Sequence, residues 1–128
     1  MRIKIIQYLF LVMFLGLIIN SIPSKVYTIE HKVLKTMTAI ITQYTPVLRE
    51  TDDTPLINAA NKRVKKGDIA NNCLPFGTRV RIDGEIFTVM DRLNPRYGCS
   101  HFDILTFDEH KALEWGRQKK VVEILAKI

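Results

Sequence analysis

The sequence predicts a mainly β chain, a small barrel with one short helix, standing behind an apolar N-terminal segment. Three observations predict it. Residues 78–91 alternate apolar and polar around an Asp-Gly pair, the other apolar runs after residue 36 are short and β-branched, and only one stretch has the punctuation of a helix. Short strands with so little helix between them cannot form βαβ crossovers, so they bury their apolar faces by closing into a barrel.

The chain begins with Arg2 and Lys4 ahead of 15 residues, 5–19, that carry no charge and only one strongly polar side chain, Gln7. Asn20, Ser21, Pro23 and Ser24 then break the run. Basic, apolar, polar is the order of a secretory signal. No acid precedes Glu30, a charge bias that holds the N-terminus in the cytoplasm. A bilayer core takes about 20 apolar residues, so this segment is short for a permanent span. Against cleavage, no small-x-small site follows, and no Cys stands where a lipoprotein needs one. Residues 1–25 therefore read as a signal peptide or an N-terminal membrane anchor, either of which exports the rest; a buried core helix is the third reading. Residues 26–37 follow as a linker, and residues 38–128 make the barrel domain.

Within that domain, Thr38-Ala39-Ile40-Ile41-Thr42-Gln43-Tyr44 is a β-branched run stopped by Pro46, which suits a strand entering a loop. Residues 48–61 show no apolar period and read as a long ordered loop. Thr78, Val80 and Ile82 alternate with Arg79, Arg81 and Asp83; Asp83-Gly84 supplies a two-residue turn, and 85–90 resume the strand, placing Asp91 at its end. Residues 102–105 make another short strand. Thr106 and Glu109 fit a capping box, a helix runs over about 108–115, and Gly116 stops it. Residues 121–125 close the set.

Charge and cysteine usage narrow the function. The chain has 19 Lys and Arg against 13 Asp and Glu, net +6, and losing Arg2, Lys4 and Lys25 with the leader leaves 16 against 13, or +3. No run of four basic residues occurs, so Lys62-Arg63 and Lys65-Lys66 read as a solvated face and no nucleic-acid partner is expected. A mild positive surplus suits an acidic polymer such as the bacterial cell wall. The only cysteines, Cys73 and Cys99, become a disulfide in an oxidising compartment, two buried free thiols in a reducing one, or, with His101, a zinc site that lacks any C-x-x-C spacing.

Nucleophile chemistry is poorly provided for. No Ser sits in a nucleophile elbow, His31 and His110 have no evident partner, and neither a Gly-rich phosphate loop nor a His pair at metal-ligand spacing occurs, so neither metal nor other cofactor is expected. Carboxylates remain: Asp52 in the long loop, Asp91 at a strand end, and Asp103 between Phe102 and Ile104. Asp is depleted in strand interiors and costly to bury alone, so Asp103 requires a partner or a function. Burial and a like charge keep a carboxyl protonated near neutral pH, as a general acid for glycosidic cleavage must be. The plainer alternative is that the three cap turns and loops.

Six segments, in order, carry a resemblance: Thr42-Gln43-Tyr44-Thr45-Pro46, Glu50-Thr51-Asp52-Asp53-Thr54-Pro55, Leu74-Pro75-Phe76-Gly77-Thr78-Arg79-Val80, Thr88-Val89-Met90-Asp91, His101-Phe102-Asp103-Ile104 and Ala112-Leu113-Glu114-Trp115-Gly116-Arg117. Together they resemble the 3D, or three-aspartate, domain, similar to the catalytic barrel of membrane-bound lytic transglycosylase A and the stationary-phase survival proteins. The resemblance runs over about 38–125. It implies a six-stranded double-psi β-barrel that cleaves peptidoglycan glycan strands without water or cofactor, with Asp103 as acid and then base, Asp91 and Asp52 supporting it, and Tyr44, Thr45 and His101 lining the cleft. A monomer is expected. Where the family carries a glycine-rich segment, this chain has Arg92-Leu93-Asn94-Pro95-Arg96-Tyr97-Gly98-Cys99, a stiffer loop. Where the family has Thr-Ala-x-Gly, it has Asn58-Ala59-Ala60-Asn61, with Asn61 able to take the left-handed conformation of the glycine. Two further functions fit the same residues: a non-catalytic wall-binding barrel of the expansin or rare lipoprotein A type, and an inhibitor or structural cap on an envelope complex.

Overall fold

The computed structural model describes residues 28–46 and 56–127, together with residues 6, 7 and 11. The chain divides into two compact units, Met1–Glu30 and His31–Ile128. In the first, residues 6, 7 and 11 are helical. The rest of the leader expected over 1–25 lies outside the described residues, as does Asp52 with most of the loop expected over 48–61. Among the described residues no helix is long and apolar enough to cross a membrane.

The second unit is a closed barrel of six strands: β1 (Val33–Tyr44), β2 (Asp68–Ala70), β3 (Arg79–Ile82), β4 (Glu85–Asp91), β5 (His101–Leu105) and β6 (Gln118–Leu125), with helix α1 (Glu109–Trp115) between the last two. Around the barrel the order is β1, β5, β2, β4, β3, β6, and β6 returns to β1. The pairs β1·β5 and β2·β4 are parallel; the other four are antiparallel. Each strand sends one wholly buried residue inward: Ile41, Ile69, Val80, Val89, Phe102 and Val122 are all 0% exposed. Burying a side chain of that size is worth about 1.5–3 kcal/mol, so the period-2 apolar positions are what hold the barrel shut.

The expected hairpin is present. Asp83 (φ 50°) and Gly84 (φ 83°) both lie in the left-handed region, as a two-residue turn matching the right-handed twist of its strands requires, and Ile82 pairs with Glu85 across it. Several boundaries differ from the sequence expectation. β1 starts at Val33 rather than Thr38, inside the stretch read as linker, because 33–41 pair with β6; those first positions are exposed, so no apolar alternation marks them. β6 likewise starts at Gln118. The strand β2 was not expected at all: three residues are too few to display a period, and tertiary contact on both sides makes the strand. The cap of α1 is Asp108, not Thr106. Asp108 is extended (φ −118°) and its carboxylate accepts from Lys111 N, while Thr106 Oγ1 accepts from Asp108 N. Gly116 ends the helix at φ 63°, its N–H bonded to Ala112 O. Lys62, Arg63, Lys65 and Lys66 are all exposed.

Candidate functional site

The register brings the candidate residues into one row. Thr42 on β1 pairs with Asp103 on β5, Asp103 pairs with Ala70 on β2, and Ala70, after a bulge, pairs with Asp91 on β4. Residues paired across a ladder share a face. Phe102 and Ile104 fill the core, so Asp103 and His101 face outward; Ile41 is core, so Thr42 and Tyr44 also face outward. Asp103 is therefore an outward residue on a strand covered on both sides, which resolves its position in an apolar run. Two inter-strand spacings, about 10 Å between Cα atoms, separate it from Asp91.

Short hydrogen bonds fix both carboxylates. The Thr42 hydroxyl donates to Asp103 Oδ1 at 2.8 Å. With that proton committed, the contact of 3.0 Å between Thr42 Oγ1 and His101 Nε2 is one in which the imidazole donates, so the ring proton sits on Nε2. Burial, and then the charge of Arg117, hold the His101 ring below its ordinary basicity, which keeps it in this neutral form. Tyr97 packs a tilted ring on His101 at 4.4 Å between centroids. Asp91 accepts three hydrogen bonds: Tyr44 OH to Oδ2 at 2.8 Å, and the N–H groups of Ala59 and Arg92 to Oδ1, both at 2.9 Å.

The Tyr44 hydroxyl thus links β1 to Asp91 at the end of β4, two strands beyond β5 in the barrel order. Burial pushes the Tyr44 phenol far above its ordinary value, and the negative charge and hydrogen bond of Asp91, then the charges of Asp103 and Asp68, add to it. The phenol thus stays protonated and stays a donor. Asp91 accepts from that hydroxyl, and Asp103 and Asp68 lie near enough for their charges to act on it. Asp68, 1% exposed, accepts from Asn58 Nδ2 and Lys65 N through Oδ2, while its Oδ1 has no hydrogen-bond partner. Thr45 is buried at 2% exposure.

No family model matches the chain, and no curated protein matches it significantly. Its chemistry therefore has to be read from this geometry.

The loops beside the row are stitched by residues that the sequence reading passed over. Asn71, wholly buried, donates to the carbonyls of Cys99 and His101, both at 3.0 Å, and accepts from the N–H groups of Cys73 and Leu74. Asn72 accepts from Leu93 N and donates to the carbonyls of Asn94 and Tyr97. Their signal was the pair Asn71-Asn72 straight after an apolar Ile-Ala, where side-chain amides commonly replace a missing ladder. Cys73 and Cys99 form a disulfide with Cα atoms 5.2 Å apart, which overturns both the free-thiol and the zinc readings. Among the described residues no group of three or more His, Cys, Asp or Glu is placed to hold a metal ion. Asn58 and Asn61 shape the loop that presents Ala59 to Asp91, and Asn61 takes the expected left-handed conformation at φ 57°. His31 and His110 each have a neighbour after all, Arg79 at 2.9 Å and Glu114 at 3.5 Å, both away from the row.

A separate groove of about 510 Å³ opens where β4 begins, between Gln43, Lys66, Phe87 and Trp115, and none of the residues selected from the sequence lines it.

Proposed function

We propose that the protein is an exported peptidoglycan lytic transglycosylase of the three-aspartate kind, and that its barrel has the double-psi topology. The observation that carries the reading is the outward row of Thr42, Asp103, Ala70 and Asp91, with Tyr44 reaching across it. Two parallel strand pairs inside an otherwise antiparallel closed barrel support the topology. The Cys73–Cys99 disulfide, a bond of oxidising compartments, supports export through the segment at 1–25.

In this reading Asp103, protonated, gives its proton to the oxygen between N-acetylmuramic acid and N-acetylglucosamine as the bond from that oxygen to the muramic C1 breaks. The resulting carboxylate takes the proton of the muramic 6-hydroxyl, whose oxygen bonds to C1 and closes the 1,6-anhydro ring. Asp103 ends as it began, and no water enters. Thr42 aims the Asp103 carboxyl, and His101 holds Thr42. Asp91, fixed by three donors, supplies negative charge across the row against the positive charge that develops at C1. Asp52 supports the same acid from the preceding loop. Tyr44 lines the cleft in which the sugar rests, with the buried Thr45 next to it.

One observation favours a second reading, a non-catalytic wall-binding barrel of the expansin or rare lipoprotein A type: Asp91 already accepts three hydrogen bonds from within the fold. Incubation with purified cell wall separates the two. A transglycosylase releases soluble anhydro-muropeptides and Asp103→Asn stops the release; a binding module releases none, while its wall retention survives the same substitution.

A further inference from the structure

The carboxylate row ends in guanidinium groups. The β1·β6 ladder ends with Ile41 opposite Gln118, next to Arg117, whose charge acts on His101. Arg92 adjoins Asp91; it donates to Asn71 O at 2.6 Å and lies 3.9 Å over the Phe76 ring. Arg96 donates to Tyr97 OH at 2.9 Å and stacks 4.8 Å from that ring, whose other contact is His101. Arg92 and Arg96 are thus one or two contacts from Asp91 or His101, and Arg117 lies within electrostatic reach of His101. Among the described residues none of the three forms an ion pair with a carboxylate, although Arg81, Lys111 and Lys120 all do.

Guanidinium groups held against aromatic rings, as those of Arg92 and Arg96 are, have already lost much of the side-chain freedom that binding would otherwise remove. The loop that carries two of them is fastened by the Cys73–Cys99 disulfide and by Asn72. A rigid, cationic, unpaired edge beside a glycan cleft has the chemistry of a carboxylate receptor. We propose that Arg92, Arg96 and Arg117 form a rim that binds carboxylates borne by the glycan strand. This rests on the reading of the row as a glycan site. It goes beyond that reading by assigning the residues that meet those carboxylates.

The test uses the full chain and three insoluble probes: purified peptidoglycan sacculi, the same sacculi with their carboxyl groups converted to amides, and chitin. The variant is Arg96→Gln with Arg117→Gln, both exposed positions whose loss leaves the core untouched; Arg92 is kept because it holds Asn71 O. Wild type should bind native sacculi roughly tenfold better than amidated sacculi or chitin, the scale expected when two partly exposed charge contacts are lost. The double variant should bind all three probes alike, at the weaker level. Equal binding of wild type to native and amidated sacculi overturns the rim, as does a double variant that keeps the preference. Removing the peptide stems, which leaves the lactyl carboxylate, distinguishes the two sources of charge: retained preference assigns the contact to the lactyl group and lost preference to the stem, and both support the rim. The transglycosylase reading fails separately, by absence of anhydro ends while the binding preference persists.

Discussion

Tyr44→Phe removes one hydroxyl and keeps the ring. The lost bond is the 2.8 Å donation to Asp91 Oδ2; the other carboxylate oxygen keeps Ala59 N and Arg92 N. A hydrogen bond to a charged group contributes about 1.5–3 kcal/mol, and a carboxylate that retains two donors belongs at the low end, about 1.5 kcal/mol. For a domain of this size that lowers Tm by about 6–12 °C at pH 7. The same substitution should have little effect in alkali. The wild-type phenol is pushed far above 10 in the folded protein, chiefly by burial and then by Asp91, whereas in the unfolded chain it ionises near 10. Above pH 10 the unfolded state has lost a proton that the folded state keeps, so wild-type stability falls by about 1.4 kcal/mol per pH unit from this group alone. The Phe variant lacks that loss. Denaturant unfolding at pH 7 and pH 11 should therefore show a difference of about 1.5 kcal/mol at the lower pH and almost none at the higher. An equal difference at both would refute the placement of Tyr44 among carboxylates.

The remaining expectations are simpler to state. Replacing Cys73 and Cys99 by Ser opens a loop with a sequence separation of 26 and should cost about 3.5 kcal/mol in the chain-entropy model, read as a lower midpoint in denaturant; an unchanged midpoint would show that the bond constrains nothing. His101 is held below its ordinary value by burial first and by Arg117 second, so its contribution to stability is present above about pH 6.5 and is lost as pH falls through the folded value. Arg117→Gln should move the His101 NMR titration upward without restoring it fully, and an unmoved titration would contradict the juxtaposition of Arg117 with the row.

Local features were legible in the residues because local physics decides them. The Asp83-Gly84 turn needs two left-handed positions between alternating runs, the stop of α1 needs Gly116, and β5 is apolar apart from the outward His101 and Asp103. What depends on register was not legible. β2 is a strand because β4 and β5 flank it, not because of its three residues, and only that strand sets Asp91 and Asp103 on either side of Ala70. Thr42 stood in a quoted segment, yet its pairing with Asp103 and His101 follows from a parallel ladder that no period announces. Asp68 escaped notice for a similar reason. An acid between Gly67 and Ile69 looks like a turn residue until the chain folds Asn58 and Lys65 onto it.

The most direct measurement of the proposed chemistry is mass spectrometry of soluble products from purified peptidoglycan incubated with wild type and with Asp103→Asn. Asp103 lies on the outer face, where its carboxylate accepts from Thr42, and the amide has the same shape, so Asp103→Asn should fold normally; equal Tm values for the two proteins would check this. The transglycosylase reading predicts muropeptides ending in the 1,6-anhydro ring from wild type and none from Asp103→Asn. Products with reducing, water-added ends, anhydro ends that persist in the variant, or no release by wild type would each contradict it.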